Sequence, residues 1–320
     1  MRQAGRYHDH YQSLKKDHTF EELCKKPILA AETAMGPINE FDFDVAILFS
    51  DILFPLEALG MDLSYNPGPQ FGLHLDEDNA ESLLVNQNPI NFMEFQGEAI
   101  ERTIERLPSD KSLIGFVGGP WTLIAYACNI SKDSRELNFN NFQIGLLDNV
   151  ILPLLKENVE LQLNAGAEVV MIFDSNAHLL AEEDLNIYLD KTFNALAKEF
   201  PYKVGYYAKD GIDYEAIIAK QNDPEINLAG MGLDSNIDLK EYFKKTTNGF
   251  VQSEEKAFYH SLHIHFHLIR HHDHAKYRDL KPHLRSLPIQ NFSLFVLWQY
   301  KLSCLHLMIH FLDHLFFQGL

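Results

Sequence analysis

Cysteine is scarce. Cys24, Cys128 and Cys304 are the three in 320 residues, and they stand too far apart for metal-ligand or redox-pair spacing. A large chain with so few thiols is no disulfide-stapled secreted domain and reads as a reduced, cytoplasmic protein. Basic residues are also few: 27 Lys and Arg against 45 Asp and Glu leave a formal net charge of −18. That balance argues against nucleic acid or an anionic membrane surface as partner. No apolar run follows the charged start Met1-Arg2, so a signal peptide is not expected. There is no Gly-x-Gly-x-x-Gly at a strand–helix turn, which lowers the dinucleotide-binding option. No repeat recurs at a solenoid period.

Glycine is missing from one part only. It is spread through the first 250 residues or so and then absent between Gly249 and Gly319. Histidine becomes dense there: His260, His263, His265, His267, His271, His272 and His274 crowd one short stretch. A metal-binding tract would want cysteine or carboxylate co-ligands, which are nearly absent. A membrane anchor over 292–317 would have to carry Lys301, His306, His310, Asp313 and His314. Residues 253–320 are therefore expected to be an irregular or disordered tail, of the kind a frameshift or mistaken gene boundary leaves behind, and residues 1–252 the folded part.

What is present in the first part is an alternation. Short apolar, β-rich runs fall at 45–49, 113–117, 169–173, 204–207, 228–232 and 249–252. Amphipathic helical stretches fall at 20–34, 95–107, 142–163 and 185–200, the last stopped by Pro201. Apolar runs alternating with helices predict an α/β fold with a parallel sheet covered by helices. The 46% apolar composition is ample for its core. Polar or glycine-rich residues close the runs: Ser50-Asp51, Gly118-Gly119-Pro120, Asp174-Ser175, Lys209-Asp210-Gly211 and Asp234. A (β/α)8 barrel places its site at the carboxyl ends of its strands, and so does an open doubly wound sheet, so the pattern leaves both open.

Six segments resemble one family in order and spacing: MRQAGRY (1–7), AILFSDIL (46–53) with PLEALGMD (55–62), LIGFVGGPWTLIAY (113–126), GAEVVMIFDSNA (166–177), YYAKDG (206–211) and MGLDSNIDL (231–239). The family is uroporphyrinogen decarboxylase, of haem and tetrapyrrole biosynthesis. The resemblance implies a single (β/α)8 TIM barrel that works as a homodimer and needs no cofactor or metal. It implies decarboxylation of the four acetate side chains of uroporphyrinogen III to methyl groups, giving coproporphyrinogen III. Arg2 and Arg6, with the backbone of Gln3, Ala4 and Gly5, would hold substrate carboxylates, and either arginine could relay a proton. Asp51 would accept hydrogen bonds from the pyrrole N–H groups. Tyr126 and Ser175 would bind propionate or acetate groups, and Phe20 would pack against the ring. Taken singly, Asp51 reads as a helix cap, Tyr126 as a core tyrosine and Ser175 as a turn residue.

The likeness is expected to stop at Gln252. Asn176 and His178 stand where the family has small residues, and the Leu-Gly-His-Gly strand, whose histidine touches substrate, has no counterpart. A barrel short of part of its first strand and all of its last would expose strand edges. An inactive remnant of the family is therefore one alternative. Another is a corrinoid-related methyltransferase of the same superfamily, which would need zinc-binding His and Cys near its last strands.

Overall fold

The structure is a computed structural model that describes residues 8–66, 68–84, 86, 88–209, 214–233, 242, 244–245 and 249–253. Eight strands are described: β1 (Val45–Ile47), β2 (Leu63–Tyr65), β3 (Pro69–Phe71), β4 (Ser112–Gly118), β5 (Val169–Asp174), β6 (Val204–Ala208), β7 (Gly230–Leu233) and β8 (Phe250–Ser253). Six of them form one sheet in the order β1-β4-β5-β6-β7-β8, every pair parallel. Neighbours in the sheet are neighbours in the main-strand sequence, as successive right-handed β–α–β units produce. All six apolar runs read from the sequence are strands of this sheet. It is a curled run of (β/α)8 barrel strands with helices outside. β2 and β3 form a separate antiparallel hairpin inserted between β1 and β4.

Register assigns the two faces. Gly118, Phe173, Tyr207 and Gly232 stand level across four strands, and Phe116, Met171, Gly205 and Gly230 make the row below. This face is the barrel interior, where several large residues take the room that glycines leave. A Cβ at Gly205 would overlap the Met171 sulfur, one at Gly230 the Phe250 ring, and one at Gly232 the Tyr207 side chain. The opposite face, with Gly115, Ile172 and Tyr206, meets the helices. Both faces are buried, which is why the strands read as continuous apolar runs.

The helical stretches are where expected but broken. The 20–34 stretch is two helices, Phe20–Lys25 and Pro27–Phe41, because Lys26 before a proline is held extended at ψ 108. Pro27 then starts the second helix at a position where its missing N–H costs nothing. The 142–163 stretch runs as Asn141–Leu146, a π turn Leu147–Ile151, and Leu152–Asn164. The 185–200 stretch is Glu182–Thr192 followed by a π turn, Phe193–Ala197, whose Phe193 packs edge-on against Tyr206 at 5.0 Å.

Gln162, fully buried, shows how the helices are locked on. The β1–β4 ladder ends at Ile47 and Ile114, leaving the backbone of Phe116 without a strand partner on that side. The Gln162 amide takes both groups: Phe116 N–H donates to its Oε1 at 2.8 Å, and its Nε2 donates to the Phe116 carbonyl at 2.8 Å. The same Nε2 reaches Asn158 and Gln96, and Gln96 donates to Ser50 Oγ at 2.8 Å. The chain just before Asp51 is thus tied to two helices. Gln162→Leu leaves a buried N–H and C=O unpaired, and it should lower stability by about 2–4 kcal/mol. Urea unfolding should show this as a lower midpoint at unchanged slope.

Candidate active site at the carboxyl ends of the strands

The site has two walls joined by the hairpin. The first begins where β1 ends. Residues 48–50 carry the chain on to Asp51, with Ser50 buried and bonded to the helix-borne Gln96 and Asp51 only partly buried. The Asp51 carboxylate accepts the Leu53 N–H at 2.9 Å, a local turn that fixes its direction. Around it stand aromatic rings. Tyr65, from β2, lies 4.8 Å from Phe20 and 6.1 Å from Phe54, and Phe20 lies 6.2 Å from Phe49. Thr19 and Glu22 form a capping box that sets Phe20 as the first residue of its helix.

The Asp51 charge is felt by two neighbours. The Tyr65 hydroxyl is buried and faces the Asp51 carboxylate. Burial, and then the Asp51 carboxylate, push its pKa far above the ordinary tyrosine value. Cys24, buried behind Phe20, has its thiol pushed well up by burial and by Asp51. The environment is apolar enough for one carboxylate to perturb groups around it. Tyr65 is a candidate site residue that the sequence did not disclose, since a tyrosine in a short polar hairpin carries no pattern.

The second wall follows β4 and β5. Tyr126 lies on the helix Pro120–Ala127, and Asn176 and Ser175 follow β5. Tyr126 and Asn176 line a cleft of about 550 Å³ with the hairpin residues Pro69, Gln70 and Phe71. Ser175, partly buried, sits between Asn176 and Asp174 in the chain. The hairpin therefore presents Tyr65 to Asp51 and Gln70 to Tyr126. Phe20 and Asp51 are brought together through Tyr65. Tyr126 and Ser175 belong to the other wall. Arg2, Gln3, Ala4, Gly5 and Arg6 lie outside the described residues, as do Asp210, Gly211, Asp234 and all the tail after Ser253. Tyr11, which follows the MRQAGRY segment closely, packs on Phe49 at 5.7 Å.

The most perturbed carboxylate is a different one. Asp174 is fully buried at the end of β5, on the helix-facing parity. It accepts from Thr122 Oγ1 at 2.7 Å, from Tyr206 at 3.0 Å and from the Tyr188 hydroxyl. Burial raises its pKa and the three donors oppose that rise. Gly119 lies so close that a Cβ there would overlap the Asp174 carboxyl. Thr122 also receives the Asn176 N–H at 3.0 Å, so the cluster sets the backbone on which Ser175 and Asn176 stand. Asp174 holds the site in place from outside the barrel.

Among the described residues no group of three or more His, Cys, Asp or Glu is arranged to hold a metal ion, and no helix is long and apolar enough to cross a membrane.

A parallel sheet in chain order, helices outside, and a polar mouth over the carboxyl ends of the strands define a (β/α)8-barrel enzyme. The chain belongs to the uroporphyrinogen decarboxylase family, whose members are carboxy-lyases. The Uroporphyrinogen decarboxylase (URO-D) family profile matches residues 1–253. Uroporphyrinogen decarboxylase from Orientia tsutsugamushi (strain Ikeda) is 35% identical over 262 residues, covering 79% of this chain and 76% of that protein. The enzyme of the same name from Helicobacter acinonychis (strain Sheeba) is 39% identical over 239 residues, covering 67% and 69%. A solved structure, a methyltransferase from Methanosarcina mazei, superposes with a TM-score of 0.57 over 73% of this chain and 72% of its own. At 16% identity that is a likeness of fold alone.

Because burial raises the Asp174 pKa, the folded chain keeps this proton to higher pH than the unfolded chain does. The group's contribution to stability is complete below the unfolded pKa and is lost as pH rises through the folded one. Asp174→Asn removes the titration and places an amide donor among three hydroxyls. It should be less stable than the parent by about 1–3 kcal/mol at mildly acid pH, with the gap narrowing as pH rises. Denaturant titrations across the acid-to-neutral range read the trend directly.

Proposed function

We propose that this chain decarboxylates the four acetate side chains of uroporphyrinogen III to methyl groups, giving coproporphyrinogen III, as a cytoplasmic homodimer with no cofactor. The observation that carries the reading is Asp51: a partly buried carboxylate fixed by its own turn just after β1, close enough to perturb Tyr65, whose ring packs on Phe20.

The chemistry asks for such a group. Protonation of a pyrrole at the ring carbon adjacent to the one bearing the acetate arm makes the ring cationic, with the positive charge conjugated to the arm, and lets it act as the electron sink. The bond from the arm's methylene to its carboxylate then breaks, carbon dioxide leaves, and the electron pair flows into the ring. A second proton, on the exocyclic methylene, restores the pyrrole and leaves a methyl group, while the ring carbon gives back the first. The net change per arm is one proton taken up and one carbon dioxide released. A carboxylate under the ring nitrogens accepts their N–H bonds and stabilises the cation, most strongly where water is excluded. Asp51 takes this role, with Phe20 packed against the macrocycle. Arg2 and Arg6, with the backbone of Gln3, Ala4 and Gly5, hold carboxylates. Permanently charged, forked guanidinium groups suit a substrate with eight of them. Tyr126 and Ser175 bind side-chain carboxylates from the far wall.

Anaerobic incubation of the full chain with uroporphyrinogen III, with products separated by chromatography, tests the proposal. The parent should yield coproporphyrinogen, and Asp51→Ala should lower kcat by about 10²-fold or more. A parent that makes no product, or an Asp51→Ala variant as active as the parent, would sink the reading.

A further inference from the structure

One cation at the mouth has no part in that mechanism. Lys132 lines the cleft beside Tyr126, and its place there follows from the way the preceding helix ends. After Ala127 the chain enters the left-handed region at Asn129, φ 53, a conformation that asparagine tolerates better than most side chains. The turn closes with Cys128 N–H on the Ile124 carbonyl and Ile130 N–H on the Ala125 carbonyl, both at 2.8 Å. The chain then doubles back past the helix end. The Lys132 ammonium comes to lie 5.3 Å from the centroid of the Tyr126 ring. Lys132 makes no ion pair with any described residue, in a chain where acidic residues greatly outnumber basic ones. A ring face attracts an ammonium without neutralising it, so the charge stays available to the cleft.

The rest of the lining suits an anion that accepts several hydrogen bonds. Gln70, Asn129 and Asn176 also line it, from three different elements; the Gln70 amide donates to the Asn66 carbonyl at 2.8 Å and keeps a second N–H. His74 closes the opposite side. Its Nδ1 lies 3.3 Å from the Tyr126 carbonyl, a pairing in which the nitrogen donates, and its own carbonyl is held by Asn79 Nδ2 at 2.8 Å. Tyr126 is thus gripped at its backbone by His74 and covered at its ring by Lys132.

We propose that Lys132 is a specificity residue that binds one side-chain carboxylate of the macrocyclic substrate in this cleft, with the Tyr126 ring holding the ammonium in position. The substrate's identity rests on the function proposed above; the carboxylate site rests on the cleft itself.

Two measurements on the full chain test it together. One is the dissociation constant for uroporphyrin, the oxidised and unreactive octacarboxylate macrocycle, by fluorescence titration at low and high salt. The other is the kcat and KM for uroporphyrinogen III. The variants are Lys132→Gln and Lys132→Arg, with thermal melts to confirm folding. Lys132→Gln should weaken porphyrin binding and raise KM about tenfold, as loss of a partly exposed charge-assisted hydrogen bond does. The effect should fall on KM rather than kcat, the salt dependence of binding should flatten, and Lys132→Arg should restore most of the affinity. Equal binding and KM in the parent and Lys132→Gln would overturn the inference while leaving the decarboxylase reading intact. Loss of kcat alone in both variants would overturn it too. Lysine-dependent porphyrin binding by a parent that decarboxylates nothing would uphold the carboxylate site and overturn the function. A parent that neither binds nor reacts overturns both.

Discussion

One register governs the sheet. Because the six strands are parallel and in phase, the parity of a residue decides whether it meets the helices or the barrel interior. Phe173 and Tyr207 face inward, while their neighbours Asp174 and Tyr206 face outward. Glycine in the adjacent strand makes room for several large interior residues, Met171 beside Gly205, Phe250 beside Gly230 and Tyr207 beside Gly232. A shift of one residue in any pair would drive Met171, Tyr207 or Phe250 into the helix layer and expose Asp174 to the wrong face. The site inherits part of its geometry from this phase, since Asp51, Ser175 and Asn176 follow strand ends and Tyr126 lies on the helix that follows β4.

The same phase separates two carboxylates that look alike in sequence. Each follows an apolar run and each is followed by a helix. Asp174 points among hydroxyl groups of two helices and a strand, loses all contact with water, and has its pKa raised. Asp51 stays partly open to the mouth, and it is its neighbours Tyr65 and Cys24 that are perturbed. A shifted pKa alone would pick the wrong residue. Perturbation marks a functional group only when the group also faces space that a substrate can occupy, and Asp174 does not.

Much of this was legible in the chain. The six strands were visible because a sheet buried on both faces leaves continuous apolar runs, and the polar residues closing those runs mark the mouth. Asp51, Tyr126, Ser175 and Phe20 became candidates only through their family context, since each alone reads as a cap, a core ring or a turn. The break at Lys26 was written in Pro27 but hidden by apolar spacing that continues across it. The π turns left no local sign, because they answer to tertiary packing such as Phe193 on Tyr206. The hairpin was missed since strands of three residues, one beginning with Pro69, carry too little alternation to be seen. Tyr65 and Lys132 went with it: their importance lies in what the fold places beside them.

That hairpin is the element through which the two walls can act on one ligand. Leu63 and Tyr65 anchor one edge in the apolar cluster of Phe20 and Phe54, and Gln70 and Phe71 form the rim of the cleft on the other. A flat macrocycle with carboxylates around its edge needs this arrangement: an acceptor beneath its centre and donors spaced around its perimeter. Under the proposed function Asp51 supplies the first, while Lys132 and the amides around Tyr126 supply part of the second. The strong negative charge of the chain as a whole does not oppose an anionic ligand here. Charges more than about 10 Å away are screened at ordinary ionic strength, whereas an ammonium within the cleft acts at contact distance. A single lysine held by an aromatic ring can therefore set the local sign at this wall.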